Sequence, residues 1–229
     1  MKKIMNYFTK FEIALWSTSV LMIIVSFLIF KQKDYLTLSA SLIGATFLIL
    51  NAKGNPIGQF LTIVFSSLYG IISYKFSYYG EMITYLCMTM PMAFFALISW
   101  LKNPYKNNKS QVKVNRLKSK EIIFMFLLTV IVTIIFYFIL KHFNTANLLP
   151  STLSVTTSFI AVYLTFRRSP YFAIAYAMND LVLIVMWILA SITEISYISV
   201  VICFIVFFVN DMYGFINWKK MEKSQKLNP

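Results

Sequence analysis

Charge is scarce in this chain. Only 13% of its residues are Asp, Glu, Lys or Arg, about half the share of an ordinary water-soluble domain. Cysteine occurs twice and histidine once. Cys87 and Cys203 both sit inside apolar runs, so they read as small packing residues and not as a disulfide. His142 stands alone in a connecting segment, which leaves nothing to build a histidine-based metal cluster. No Gly-rich phosphate loop and no nucleophile triad can be traced. ATP-driven pumping by this chain alone is therefore not expected, nor is a metal or other cofactor.

Apolar residues are what the chain has in excess: 59% hydrophobic, with a mean hydropathy of +0.72. That composition belongs to an integral membrane protein. The 229 residues are spent on spans, and no separate soluble domain is expected. A net charge of +13 in a soluble protein would suggest nucleic acid. Here the bases fall between the apolar runs, so they set orientation in the membrane, and no nucleic-acid partner is expected. The basic residues before position 11 do not introduce a cleavable leader, because the following apolar run is too long and lacks a small-residue cleavage site.

A helix needs about 17–25 mostly apolar residues to cross a bilayer. Runs of that kind cover 12–30, 35–50, 57–76, 82–101, 121–140, 150–166, 171–190 and 195–218. All must be helical, since a lone strand could not satisfy its backbone in lipid. Eight spans place both termini on one side. All but four of the 21 bases then share that side; Lys31, Lys33, Lys75 and Lys141 are the exceptions. Short loops rich in Lys and Arg stay in the cytoplasm, so both termini, including Lys2 and Lys3, and the polar, mobile loop 102–120 are expected there. Trp100, Trp218, Tyr78 and Tyr79 read as interfacial belt residues.

The chain also repeats itself. Lys10-Phe11-Glu12-Ile13 opens the first half as Lys120-Glu121-Ile122 opens the second. The short Ser/Thr-rich second and sixth spans run into Lys53-Gly54-Asn55-Pro56 and Arg167-Arg168-Ser169-Pro170. The fourth and eighth spans end at Ser99-Trp100 and Asn217-Trp218. Two four-span halves in series keep one orientation, and parallel repeats about an axis along the membrane normal are a transporter architecture.

Polar groups inside the spans are the candidates for function, because they are costly in hydrocarbon and usually face a cavity. Asn210, Tyr213, Gly214 and Asn217 share one helical face, with Asp211 and Trp218 on the adjacent stripe. In the seventh span Asp180, Ile184 and Trp187 share a face flanked by Asn179. Amides and carboxylates beside an indole suit a flat heterocycle, and a cationic ring in particular. Such residues also glue helices together, and a structural role for the two aspartates stays open. The first half offers Gln59, Ser66, Ser67, Tyr69 and Tyr74, then Thr84, Tyr85, Thr89 and Ser99. Pro91 frees a carbonyl mid-span and permits a kink. A membrane-embedded enzyme or receptor using Asp180 and Asp211 is the other class of reading.

Two segments carry a likeness to a known family. One is Asn55-Pro-Ile-Gly-Gln59 running on to Tyr69-Gly70 and Tyr79-Gly80-Glu81. The other is Asn210-x-x-Tyr213-Gly214-x-x-x-Trp218 with Asn179 and Trp187 before it. In these the chain resembles the bacterial Pnu vitamin transporters over residues 35–218, and their nicotinamide riboside branch most of all. The resemblance implies an all-α membrane fold similar to the SWEET sugar transporters. Two parallel three-helix bundles, 35–101 and 150–218, would be joined by the linking helix 121–140, with one further helix in front; the whole would be a single transport domain in the bacterial cytoplasmic membrane. It implies facilitated diffusion of nicotinamide riboside, trapped inside by a cytoplasmic kinase. Thiamine, riboflavin and deoxyribonucleosides are the substrates of related carriers, and homo-oligomers are compatible with the pattern. Carried onto this chain, the binding residues are Asn179, Trp187, Asn210 and Tyr213. Asp180, Asn217, Gln59 and Tyr85 join them from the reading of the spans. The segment 92–100, Met-Ala-Phe-Phe-Ala-Leu-Ile-Ser-Trp, lacks the amides that relatives carry there.

Overall fold

A computed structural model describes residues 7–31, 33–75, 79–106, 108–145 and 147–227. Tyr78, Lys2 and Lys3 lie outside the described residues. Among those described, eight helices are long and apolar enough to cross a membrane. They are α1 (Lys10–Ile29), α2 (Tyr35–Ala52), α3 (Pro56–Lys75), α4 (three segments from Tyr79 to Leu101), α5 (Ser119–His142), α6 (Leu148–Phe166), α7 (Phe172–Ser191) and α8 (Ile198–Leu227). The fold is the expected one: bundles α2–α4 and α6–α8, the linking helix α5, and α1 in front. Large apolar side chains of α1 and α5 point outward, among them Leu28, Ile29, Phe126, Leu127 and Phe138, as lipid-facing surfaces do.

The duplication is visible at atomic detail at the ends nearest the termini. Both α2 and α6 stop at a residue of positive φ, Gly54 at 67° and Arg168 at 56°. The next residue's side chain accepts the N–H two positions on: Asn55 Oδ1 from Ile57 at 3.0 Å, and Ser169 Oγ from Tyr171 at 3.4 Å. Pro56 and Pro170 follow, ending one helix and opening the next. The leading helix of each half is tethered by its first-turn glutamate to the base that caps the following helix, Glu12 to Lys53 at 3.0 Å and Glu121 to Arg167. Thus α1 and α5 occupy matching positions.

Two indoles then cross between the halves. Trp100, at the end of α4, donates through Nε1 to the Thr165 carbonyl at 2.9 Å. Trp218, on α8, donates to the Asn51 carbonyl at 2.7 Å. Each acceptor lies in the last turn of the other half's short Ser/Thr-rich helix. Both indoles are fully buried, and their rings lie 5.3 Å apart. This corrects the belt assignment of Trp100 and Trp218: the polar edge that would face headgroups is used inside the protein.

The loop before α5 is also ordered, contrary to its expected mobility. Pro104–Tyr105 and Asn108–Val112 form a small antiparallel hairpin, β1 and β2. The strand β2 and the residues after it cap both positive-φ corners, Val112 N–H to the Gly54 carbonyl and Asn115 N–H to the Arg168 carbonyl, each at 3.0 Å. Gln225 and Glu222 of the α8 extension hold the same segment through Val114 and Arg116. The physical reason is that helix ends with unpaired carbonyls need donors, and this loop supplies them. The kink expected at Pro91 takes a definite form. Its missing N–H is accommodated by a widened π turn over Thr84–Thr89, with Met90 N–H reaching back to the Tyr85 carbonyl.

Replacing either indole with phenylalanine keeps a ring but removes the crossing hydrogen bond. Each of Trp100→Phe and Trp218→Phe is expected to cost about 1 kcal/mol for the bond plus a cavity term. Thermal unfolding of detergent-solubilised protein should show similar losses for the two; an unchanged midpoint in both would contradict the reciprocal clasp.

Candidate functional site

Between the bundles lies a small cavity of about 50 Å³. Its position follows from two helical faces. On α7 the face Phe172, Tyr176, Asp180, Leu183 points inward, with Asn179 beside it; on α8 it is Phe204, Phe207 and Asp211. The first bundle closes the other side with Phe47 and Asn51 of α2, Thr62 and Phe65 of α3, and Tyr85 and Thr89 of the π turn. The walls are therefore aromatic, with Phe47 and Phe65 rings 5.2 Å apart and Phe204 and Phe207 rings 5.6 Å apart.

The polar groups are few. Asn179 Oδ1 accepts hydrogen bonds from three hydroxyls of α6: Ser154 at 3.2 Å, Thr157 at 2.8 Å and Ser158 at 3.1 Å. That triple contact orients its amide N–H₂ group away from α6. Asp180 and Asp211 approach closely enough for a proton to be shared between their carboxyls. Asp180 Oδ2 is buried with no other hydrogen-bond partner. Two carboxylates in contact cannot both hold full charge in so dry a place. On the opposite wall Asn51 is held by Gln59, whose Nε2 donates to Asn51 Oδ1 at 2.9 Å. Gly58 makes room for that amide: a Cβ there would sit 2.2 Å from Asn51 Oδ1.

The residues expected at the site divide into three groups. Asn179, Asp180 and Tyr85 line the cavity. Gln59 stands one step behind it, positioning Asn51. Trp187 is buried on the same face of α7, but seven residues beyond Asp180, about 10 Å along the axis, where it lines a second cavity with Glu81. Asn210, Tyr213 and Asn217 lie on a different face of α8. Asn210 donates to Ser19 of α1 at 2.9 Å. The Tyr213 hydroxyl donates to Glu12 at 2.8 Å, and Asn217 to the Ala52 carbonyl at 2.8 Å. The adjacent stripe, Asp211 to Trp218, is the one that looks inward.

Of the other first-half candidates, Thr89 reaches the cavity. Ser66 and Ser67 bond carbonyls of their own helix, Tyr74 points outward, and Ser99 serves the clasp at the terminal face. Asn51, Thr62, Tyr176 and the phenylalanine walls were not singled out in the sequence. An amide two residues before the helix end at Lys53, matched by the span pattern of α6, was the signal that could have found Asn51.

Two bundles of bilayer-length helices related by internal duplication, enclosing a polar cavity between them, have the architecture of a membrane transporter. The comparisons with known proteins narrow this. Residues 34–220 match the family model described as nicotinamide mononucleotide transporter, and the chain belongs to that family. It is 24% identical over 227 residues to the nicotinamide riboside transporter PnuC of Neisseria mucosa, covering 97% of this chain and 86% of that protein. Its fold is similar to the crystal structure of the vitamin B3 transporter PnuC, with a TM-score of 0.82 at 22% identity, covering 95% of this chain and 94% of that one.

The stripe facing α1 yields its own test. Tyr213→Phe removes one donor from buried Glu12, and a hydrogen bond to a charged group is worth about 1.5–3 kcal/mol. The variant should unfold at a lower temperature in detergent, and Glu12→Gln, which also loses the Lys53 ion pair, at a lower temperature still. Wild-type midpoints for both would place the attachment of α1 elsewhere.

Proposed function

We propose that this chain carries nicotinamide riboside across the cytoplasmic membrane by facilitated diffusion, and that a cytoplasmic kinase traps the solute by phosphorylation. The family and the resemblance to PnuC support the reading, and one observation in this chain carries it. The Asp180–Asp211 pair lies between aromatic walls, which suits a flat ring bearing one positive charge, as the pyridinium of nicotinamide riboside does. Asn179 and Asn51 stand on opposite walls to hold the ribose hydroxyls or the carboxamide. The whole chain, 1–229, then acts as one transport domain, with both termini and the β1–β2 hairpin in the cytoplasm, a placement that the Lys/Arg asymmetry supports.

A cavity of about 50 Å³ holds a water or two and not a nucleoside, since small-molecule sites are about 300–1,000 Å³. Loading therefore requires the bundles to part, and the clasped terminal face makes the opposite face the one that opens first. Asn210, Tyr213 and Asn217 hold the scaffold in this reading and do not touch the solute. Thiamine is the second reading that a specific feature favours, because its thiazolium ring is also flat and cationic.

Binding of nicotinamide riboside, thiamine and a neutral deoxyribonucleoside to purified protein separates these readings; tight binding of the neutral nucleoside alone would overturn the role given to the carboxyl pair. Asp180→Asn should lose uptake of nicotinamide riboside, while Tyr213→Phe keeps the wild-type half-saturating concentration in whatever protein reaches the membrane. In liposomes without kinase, solute should equilibrate to equal concentrations inside and out. Accumulation driven by an imposed pH difference would replace facilitated diffusion with proton coupling through the same two aspartates.

A further inference from the structure

A second cavity, of about 190 Å³, opens at the face away from the termini. It is lined by Glu81 of α4, Thr145 and Asn147 before α6, Ser151 of α6, and Trp187 and Thr193 at the end of α7. Glu81 is 8% exposed. Its Oε2 atom and the Thr145 hydroxyl are both buried with no hydrogen-bond partner among the described residues. The ion pairs of the described residues leave Glu81 out. Its charge is felt by the phenols Tyr69 and Tyr85, and neither supplies positive charge. A carboxyl buried in this way is unfavourable in the protein alone. It becomes favourable when a cation enters the cavity beside it.

The rest of the cavity fits the same kind of guest. Trp187 forms part of the wall and is braced by Tyr197, ring centres 5.5 Å apart at 64°. An indole and a carboxylate on one small cavity are the two groups that best hold a flat cation. The cavity also leads inward. The Tyr69 hydroxyl faces the Trp187 indole, the Tyr69 ring lies 4.6 Å from that of Tyr85, and Tyr85 is already a wall of the central cavity.

We propose that this cavity is an outer recognition site, where Glu81 and Trp187 capture the positively charged ring of the solute before it passes Tyr69 and Tyr85 to the Asp180–Asp211 pair. This rests on the transport reading above and adds a selection step to it. Charge is sampled twice along one path, so neutral nucleosides are disfavoured at entry as well as at the centre.

The test compares nicotinamide riboside with its uncharged 1,4-dihydro form in proteoliposomes containing the full chain. Glu81→Gln should raise the half-saturating concentration of the cation about tenfold and leave that of the dihydro form unchanged, with Glu81→Asp in between. Thr193→Lys, at the exposed rim of the same cavity, should produce the same selective loss without altering Glu81, which covers the case of a poorly folding Gln variant. Wild-type protein that carries neither compound would remove the transport reading itself. Wild-type protein that carries the cation, with both variants unchanged or with both compounds weakened equally, would overturn the outer site alone.

Discussion

The structure depends on a reciprocal clasp. Each half of the chain ends in an indole, and each indole donates to a carbonyl in the last turn of the other half's first bundle helix. In lipid there is no hydrophobic drive to bring helices together, so packing and hydrogen bonds must do it. Two buried indoles in mutual contact at the pseudo-symmetry axis, capped by one hairpin, tie both bundles at the terminal face. Across the central cavity the two bundles meet largely through aromatic contacts such as Phe47 with Phe207 and Tyr69 with Phe204. The molecule thus has a hydrogen-bonded end and a greasy end. In a transporter that works by alternating access such an asymmetry gives the motion a direction, because the end with fewer polar ties separates at lower cost.

The same logic accounts for where the carboxyls sit. Glu12, Glu121 and Glu222 are paired with bases near the terminal face and stabilise helix ends. Asp180, Asp211 and Glu81 have no base beside them among the described residues and line the two cavities. A membrane protein with only eight acidic residues places three of them where the protein itself gains nothing from their charge. Groups that destabilise the resting fold are the ones a charged guest can reward, and the reward is what distinguishes solutes.

Much of this was legible in the sequence. Span count, the fourfold-helix duplication and the corner motifs came from hydropathy, charge and repeated short strings, and the structure adds the paired ion bridges and crossing indoles that those strings encode. The inward faces were harder. Helical spacing shows which residues share a stripe of α8, but not which neighbour the stripe meets. Asn210, Tyr213 and Asn217 form a convincing polar face, and it is polar because α1 docks there through Ser19 and Glu12. Their counterparts one repeat earlier, Met92, Phe95 and Ser99, show why. Phe95 is outward-facing, where an amide would have no partner in lipid, and Ser99 donates to the Phe166 carbonyl of α6.

The segment without amides, 92–100, does not line the cavity. The residues that do face it in the first bundle are Asn51, Thr62, Tyr85 and Thr89. Asn51 joins the two ends of the molecule: its backbone carbonyl receives Trp218, while its side chain, braced by Gln59, forms a wall of the central cavity. The last turn of α2, where the second half is clasped, therefore also supplies an amide to the cavity. Asn51 thus ties a wall of the central cavity to the terminal clasp, and the duplicated position at Thr165 does the same for the other half: its carbonyl carries the Trp100 bond and its hydroxyl contacts Tyr176 of the cavity wall.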